Sequence, residues 1–185
     1  MPHIDLGNDA PGISGLLQYR PATGMVLSEL TEVLLRGDST LSRGERELIA
    51  AYVSNLNECR YCASIHGATA AAQLPGGGSV VTDTCADLDS AAISAKLRAL
   101  LRIAAAVRVS GTAVTAEHVA AARAAGATDM EIHDAVLIAA AFCMYNRYVD
   151  GLATDVPEDP AVYPQSAQRI VAYGYLPAPP GAEVA

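Results

Sequence analysis

The stretch from Ser42 to Ala70, SRGERELIAAYVSNLNECRYCASIHGATA, constrains the fold more than any other part of the chain. Ser42-Arg-Gly-Glu45 is a capping box, and Leu48, Ile49, Tyr52, Val53 and Leu56 follow it at helical spacing, so a helix with one apolar stripe begins there. A turn at Asn55 to Asn57 then leads into a second helix, with Asn57 as the expected N-cap and Cys59 in the first turn. Cys59, Cys62 and His66 are separated by three and then four residues, an offset that places all three on one face of that helix.

Such a face carries chemistry. The unpaired N–H groups and the dipole of a helix start favour an anion, and a thiolate is one. An imidazole one turn beyond a thiol can accept its proton or stabilise the thiolate, which is what makes a cysteine reactive. Glu47, on the edge of the preceding apolar stripe, can fold back over the Cys–His face once the turn is made. His66 has weight only through its offset from Cys62. Cys143, inside AFCMY, and Cys85, expected alone in a loop, read as small hydrophobes with no base nearby. His118 and His133 read as structural residues in first helical turns, and Tyr61 as a packing residue.

Zinc is the first chemical competitor. Cys59, Cys62 and His66 are legitimate ligands, and Glu47 or Cys85 could supply a fourth. Structural zinc sites, however, usually bring two ligand pairs from separated segments, and no second pair stands in this chain. Haem attachment fails because Ala63, rather than histidine, follows the second cysteine, and a thioredoxin-type reading fails for lack of a βαβ pattern. A dithiol oxidoreductase or redox sensor using the same cysteines without peroxide is a further alternative.

The rest of the chain is read as scaffold, one domain over 1–185. Hydrophobic residues make up 51%, with one Phe and no Trp, which favours close-packed helices over an aromatic-rich sandwich, and the expected class is all-α with about six to eight helices. Residues 1–24, rich in Pro and Gly, are expected as an extended arm, followed by a short helix from Met25 to Leu35. Val80 to Asp89 is expected as a loop. Helices are expected from Ile93 to Val107 and from Thr115 to Ala125, each closed by a glycine. Thr128-Asp-Met-Glu131 is a second capping box, opening a helix through about Leu152 whose apolar middle marks it as the central buried one. The tail, 156–185, is expected to be partly ordered, with a helical turn or two around Ser166 to Tyr173.

Twenty acids against twelve bases give a net charge of −8, which argues against nucleic acid as a partner. The N-terminal segment has no basic region followed by an apolar core, and no apolar run reaches membrane-spanning length, so a cytoplasmic location without membrane contact is expected. In a reducing compartment a CxxC is more often catalytic or metal-binding than a structural staple. Numerous short Ala-rich helices leave apolar patches exposed, and self-association is expected from that.

Glu47-x11-Cys59-x2-Cys62-x3-His66 resembles, in identity and spacing, the active-site pattern of the AhpD-like alkylhydroperoxidases of the carboxymuconolactone decarboxylase superfamily. LSRGERELIAAYVSNLNECRYCASIHGATA and FCMYNRYVDGLA are similar to the peroxidase-related branch, so the resemblance covers roughly residues 10 to 155. It implies an AhpD-like helical bundle, homo-oligomers of trimeric or hexameric type, and a peroxidase acting on organic hydroperoxides without metal, haem or other cofactor. It further implies that Cys62 attacks the peroxide, that Cys59 resolves it into a redox-active Cys59–Cys62 disulfide, and that His66 and Glu47 relay the proton. An external dithiol, of lipoamide or thioredoxin type, would be the reductant. Decarboxylases of the superfamily lack the CxxC. At one position the chain departs from the pattern: Tyr61 stands where AhpD enzymes carry a relay histidine.

Overall fold

The structure is a computed structural model, and it describes residues 1–176. Among the described residues it is all-α, with α1 (Ile13–Tyr19), α2 (Pro21–Arg36), α3 (Arg43–Leu56), α4 (Arg60–Ala71), α5 (Gly77–Ala86), α6 (Ala95–Val109), α7 (Ala116–Ala124), α8 (Asp129–Gly151) and α9 (Val162–Tyr173). One turn of 3-10 helix, Gly111–Ala113, joins α6 to α7. No described helix is long and apolar enough to cross a membrane.

Both expected capping boxes form. Ser42 and Thr128 each accept from the backbone N–H three residues on, and Glu45 and Glu131 reach back to close the box. Glu131 does more than cap α8. Its buried carboxylate also accepts from Lys96 Nζ of α6 at 2.7 Å and from Thr40 Oγ1 at 2.9 Å, tying three segments together. Burial pushes this carboxyl up, but the hydrogen bonds from Lys96, the Thr128 N–H and Thr40 outweigh it and hold it down at about 2.

Four expectations are corrected. The arm over 1–24 is extended only as far as Gly12: α1 then buries Leu16, and Pro21 opens α2 at a position where a missing N–H costs nothing. Much of the expected loop over 80–89 is α5. Gly76 and Gly77, at φ 90° and 58°, turn the chain, and packing holds the helix that follows: Thr84 is fully buried and its hydroxyl bonds the Val80 carbonyl at 2.7 Å. These two segments raise the count above the six to eight helices expected. In the tail, α9 runs three turns and packs on α4, more than the turn or two expected, while 177–185 lies outside the described residues.

The fourth correction concerns the centre of the bundle. The apolar middle of α8 marks it as the central helix, yet α8 exposes Met130, Leu137 and Met144 at seven-residue intervals along its outer side. The central element is α3, buried without interruption from Arg46 to Ser54 and packed against α4, α6 and α8. Polar residues there hide the burial from a hydropathy reading. Arg46, for one, lies inside, with Nη1 donating to the Leu34 carbonyl at 3.1 Å and burial lowering its proton affinity.

Two apolar clusters result. The larger joins α3, α6 and α8 through Leu48, Ile49, Val53, Leu100, Ile103, Ile138 and Phe142. The smaller gathers Leu6, Leu16, Cys59, Tyr61, Cys62, Ile65, Val149, Tyr163 and Ile170 around the start of α4.

Candidate active site

α3 ends at Leu56, and the chain reverses through Asn57 and Glu58, the latter at φ 61°. Asn57 caps the end of α3 rather than the start of α4, and the N-cap of α4 is Cys59 itself, in extended backbone at φ −77° and ψ 91°. The shift moves the benefit of the helix start by one turn: Cys62, not Cys59, lies in the first turn of α4, where the dipole favours a thiolate. Both cysteines are free and buried, Cys59 with no exposure and Cys62 with 2%.

α3 and α4 pack side by side, and this brings Glu47 over the Cys–His face, as the fold-back of the two helices requires. Glu47, expected at the margin of its stripe, is 1% exposed. Its Oε2 lies 2.8 Å from His66 Nδ1. A carboxylate only accepts, so Nδ1 carries the hydrogen and Nε2 is left with the lone pair. The imidazole is held edge-on to Phe142, with ring centroids 4.5 Å apart.

The two thiols are unequal. The Cys62 thiol is held below its ordinary value, first by the Cys59 thiol donating to its sulfur and then by His66 and Asn146, against burial and the Asp150 carboxylate, which push it up. Cys59 is displaced far upward by the same shared hydrogen, by burial and by Asp150. The pair is therefore set for Cys62 to be the thiolate and Cys59 the proton-bearing partner.

A cavity of about 110 Å³ opens onto this arrangement. Cys62 and His66 form part of its wall, and Ile13, Leu17, Leu27, Ile65, Phe142 and Ile170 make most of the rest apolar. Cys59 is not in the wall; it lies behind Cys62.

Two groups at the site carry no local signal in the sequence. Asn146 of α8 donates from Nδ2 to Ser54 Oγ at 3.0 Å, accepts from Asn57 at 2.8 Å and is among the groups that hold the Cys62 thiol down. Tyr175, just past α9, donates its hydroxyl to Glu47 Oε1 at 2.5 Å and stacks beside His66 with centroids 5.9 Å apart. Tyr61 packs, as expected: its ring lies edge-on to Tyr163 and against Gly12, where a Cβ would collide with it. His118 closes the cap of α7 and His133 is exposed beside Asp134. Cys143 is only half-buried, with Asn57 Nδ2 3.6 Å from its sulfur, and Cys85 lies on α5 against the larger cluster. Cys85 is thus placed away from the thiol pair, and among the described residues no three His, Cys, Asp or Glu side chains are gathered to share a metal ion.

The model of the carboxymuconolactone decarboxylase family matches residues 21–74 and 79–154. No curated protein matches the chain in sequence. Among solved structures, the chain is similar to an uncharacterized peroxidase-related protein from Silicibacter sp. TM1040, with a TM-score of 0.73 and 26% identity over 80% of this chain and 77% of that one. It is similar also to a structure from Ralstonia eutropha JMP134 described as an alkylhydroperoxidase AhpD core and uncharacterized peroxidase-related protein, with a TM-score of 0.74 and 26% identity over 82% of this chain and 79% of that one. A helical bundle of this topology, matched by the family model over most of its length, belongs to the carboxymuconolactone decarboxylase family, in the AhpD-like branch.

Proposed function

We propose that the protein is a thiol-dependent peroxidase that reduces organic hydroperoxides through Cys59 and Cys62. The observation that carries this reading is the ordering of four residues around one apolar cavity: Cys62 and His66 in the wall, Glu47 behind His66 and Cys59 behind Cys62. The relatives described as peroxidase-related are consistent with it.

His66 Nε2 takes the Cys62 proton, and Glu47 stabilises the imidazolium through Nδ1–H. The thiolate attacks the distal oxygen of ROOH, the O–O bond breaks, and Cys62 becomes a sulfenic acid while the alkoxide takes the proton from His66 and leaves as an alcohol. Cys59 then displaces hydroxide from the Cys62 sulfur, its own proton completing a water molecule, and the disulfide forms. An external dithiol returns two electrons and two protons by thiol–disulfide exchange. The apolar wall and the burial of both sulfurs favour small hydroperoxides over protein disulfides as the oxidising substrate.

One equivalent of cumene hydroperoxide, followed by thiol titration and intact mass, tests the reading. Wild type is expected to lose two thiols without gaining oxygen. Cys59→Ser is expected to stop at a sulfenic acid on Cys62 that dimedone traps, and Cys62→Ser to be inert. Full turnover by Cys62→Ser with dihydrolipoamide as reductant would refute the assignment.

A further inference from the structure

We propose that Tyr175 is a positioning residue that aims the Glu47 carboxylate at His66, and that a clamp on α2 exists to deliver it. The proposal deepens the peroxidase reading and rests on it for its purpose, but its geometry stands independently.

Glu47 has two carboxylate oxygens and two donors. His66 Nδ1 serves Oε2 at 2.8 Å and the Tyr175 hydroxyl serves Oε1 at 2.5 Å, so no lone buried acceptor remains on that side chain. The same hydroxyl oxygen lies 3.3 Å from His66 Nδ1, and the Tyr175 ring stands at 23° to the imidazole. Phe142 covers the other aspect of the ring. Tyr175 therefore touches both halves of the dyad and also forms part of the cavity wall.

Its delivery is built by contacts that serve no other evident end. Arg36 Nη1 donates to the carbonyls of Ile170 and Val171, the last turn of α9, at 2.9 and 3.2 Å. Arg36 Nε also holds Glu32 at 3.0 Å, and Glu32 Oε2 accepts the Tyr175 N–H at 2.8 Å. Between α9 and Tyr175 stands Gly174 at φ 81°, where a Cβ would collide with the Glu32 carboxylate. Two side chains one turn apart on α2 thus pin the end of α9, and a left-handed glycine swings the tyrosine into the site. Residues 162–176 lie beyond the segment that matches the family model, so this group is contributed by a part of the chain outside the matched scaffold.

The chemical consequence has a definite sign. A donor to a carboxylate favours its charged form, so removing the hydroxyl strengthens the hold of the Glu47–His66 pair on a proton. The other charged and titratable groups around the pair are Arg46 on α3, Cys62 on α4, Glu32 and Arg36 on α2, Asp150 and Tyr145 on α8, and Arg169 on α9. None of these is altered by Tyr175→Phe, which keeps the ring and its stacking.

The test follows the His66 ring nitrogens by NMR in protein carrying isotope-labelled histidine, with the His66 signal assigned by its loss in His66→Gln. In Tyr175→Phe the His66 signals are expected to move at a higher pH than in wild type, because the carboxylate facing the imidazole has lost a donor. In Tyr163→Phe, which removes a hydroxyl bonded only to the Pro157 carbonyl, no displacement is expected. Should Tyr175→Phe not fold, Arg36→Lys keeps the charge but loses the fork that ties Glu32 to the end of α9, and an upward displacement is expected there too. Unmoved signals in the folded variant, or an equal displacement in Tyr163→Phe, would overturn the proposal. The readout needs no peroxide, so a wild type inert toward hydroperoxides with displaced signals in Tyr175→Phe would overturn the peroxidase reading and leave the relay standing.

Discussion

Glu47→Gln preserves the size of the side chain and removes its charge, and its effect can be worked from the site. The carboxylate accepts from two donors on opposite oxygens at 1% exposure. A carboxamide offers one accepting oxygen, so in the variant one of the donors meets an NH2 group. The larger loss appears when Cys62 gives its proton to His66, because an imidazolium that faced a carboxylate now faces an amide. A hydrogen bond to a charged partner is worth roughly 1.5–3 kcal/mol. At about 1.4 kcal/mol per decade, a loss of about 2 kcal/mol lowers the population of Cys62 thiolate about thirty-fold. Iodoacetamide alkylation at neutral pH, read at Cys62 by peptide mass, measures that population directly, and hydroperoxide consumption measures its use. Both are expected to fall together by about this factor. An alkylation rate equal to that of wild type would refute the reasoning, since it would mean that the thiolate does not depend on the dyad.

Two further outcomes concern the scaffold. Glu131 titrates at about 2 in the fold against an ordinary 4.5, so the native state gains stability above the ordinary value and loses it as the pH falls from about 4.5 to about 2, by roughly 3 kcal/mol; urea unfolding across that window should show the loss, and Glu131→Gln should flatten it. Gly12→Ala puts a Cβ at φ 57° against the Tyr61 ring, and at about 2 kcal/mol for the strained backbone and the displaced ring, calorimetry should find the Tm lower by about 4–8 °C.

What the sequence made legible were the elements whose signals are local. The capping boxes at Ser42 and Thr128 mark helix starts because one side chain closes each of them, and the offsets of Cys59, Cys62 and His66 hold because a helix repeats every 3.6 residues. Glu47 was reachable from the turn that pairs α3 with α4. Where tertiary contact overrides local preference, the sequence misleads. α5 begins among glycines and carries adjacent valines, and it is helical because Thr84 and Val81 pack against α3 and α4. α3 reads as half polar, yet the bundle closes over it, with the Leu34 carbonyl meeting Arg46 Nη1 and His66 meeting Glu47. Tyr175 is one tyrosine among eight in a segment rich in proline, and only the clamp formed by Glu32 and Arg36, distant in the chain, gives it meaning.

The seclusion of Cys59 bears on who can recharge the protein. On the peroxidase reading, an arriving thiol would meet only the sulfur of residue 62, in the wall of an oily recess about the size of a few water molecules. On that reading, reduction of the oxidised pair is therefore expected to be faster with a small or arm-borne dithiol than with a globular protein whose thiols sit on a broad surface, and rates with the two kinds of donor check it. Equal rates for donors of the same redox potential but different bulk would show that the recess does not sort them by shape.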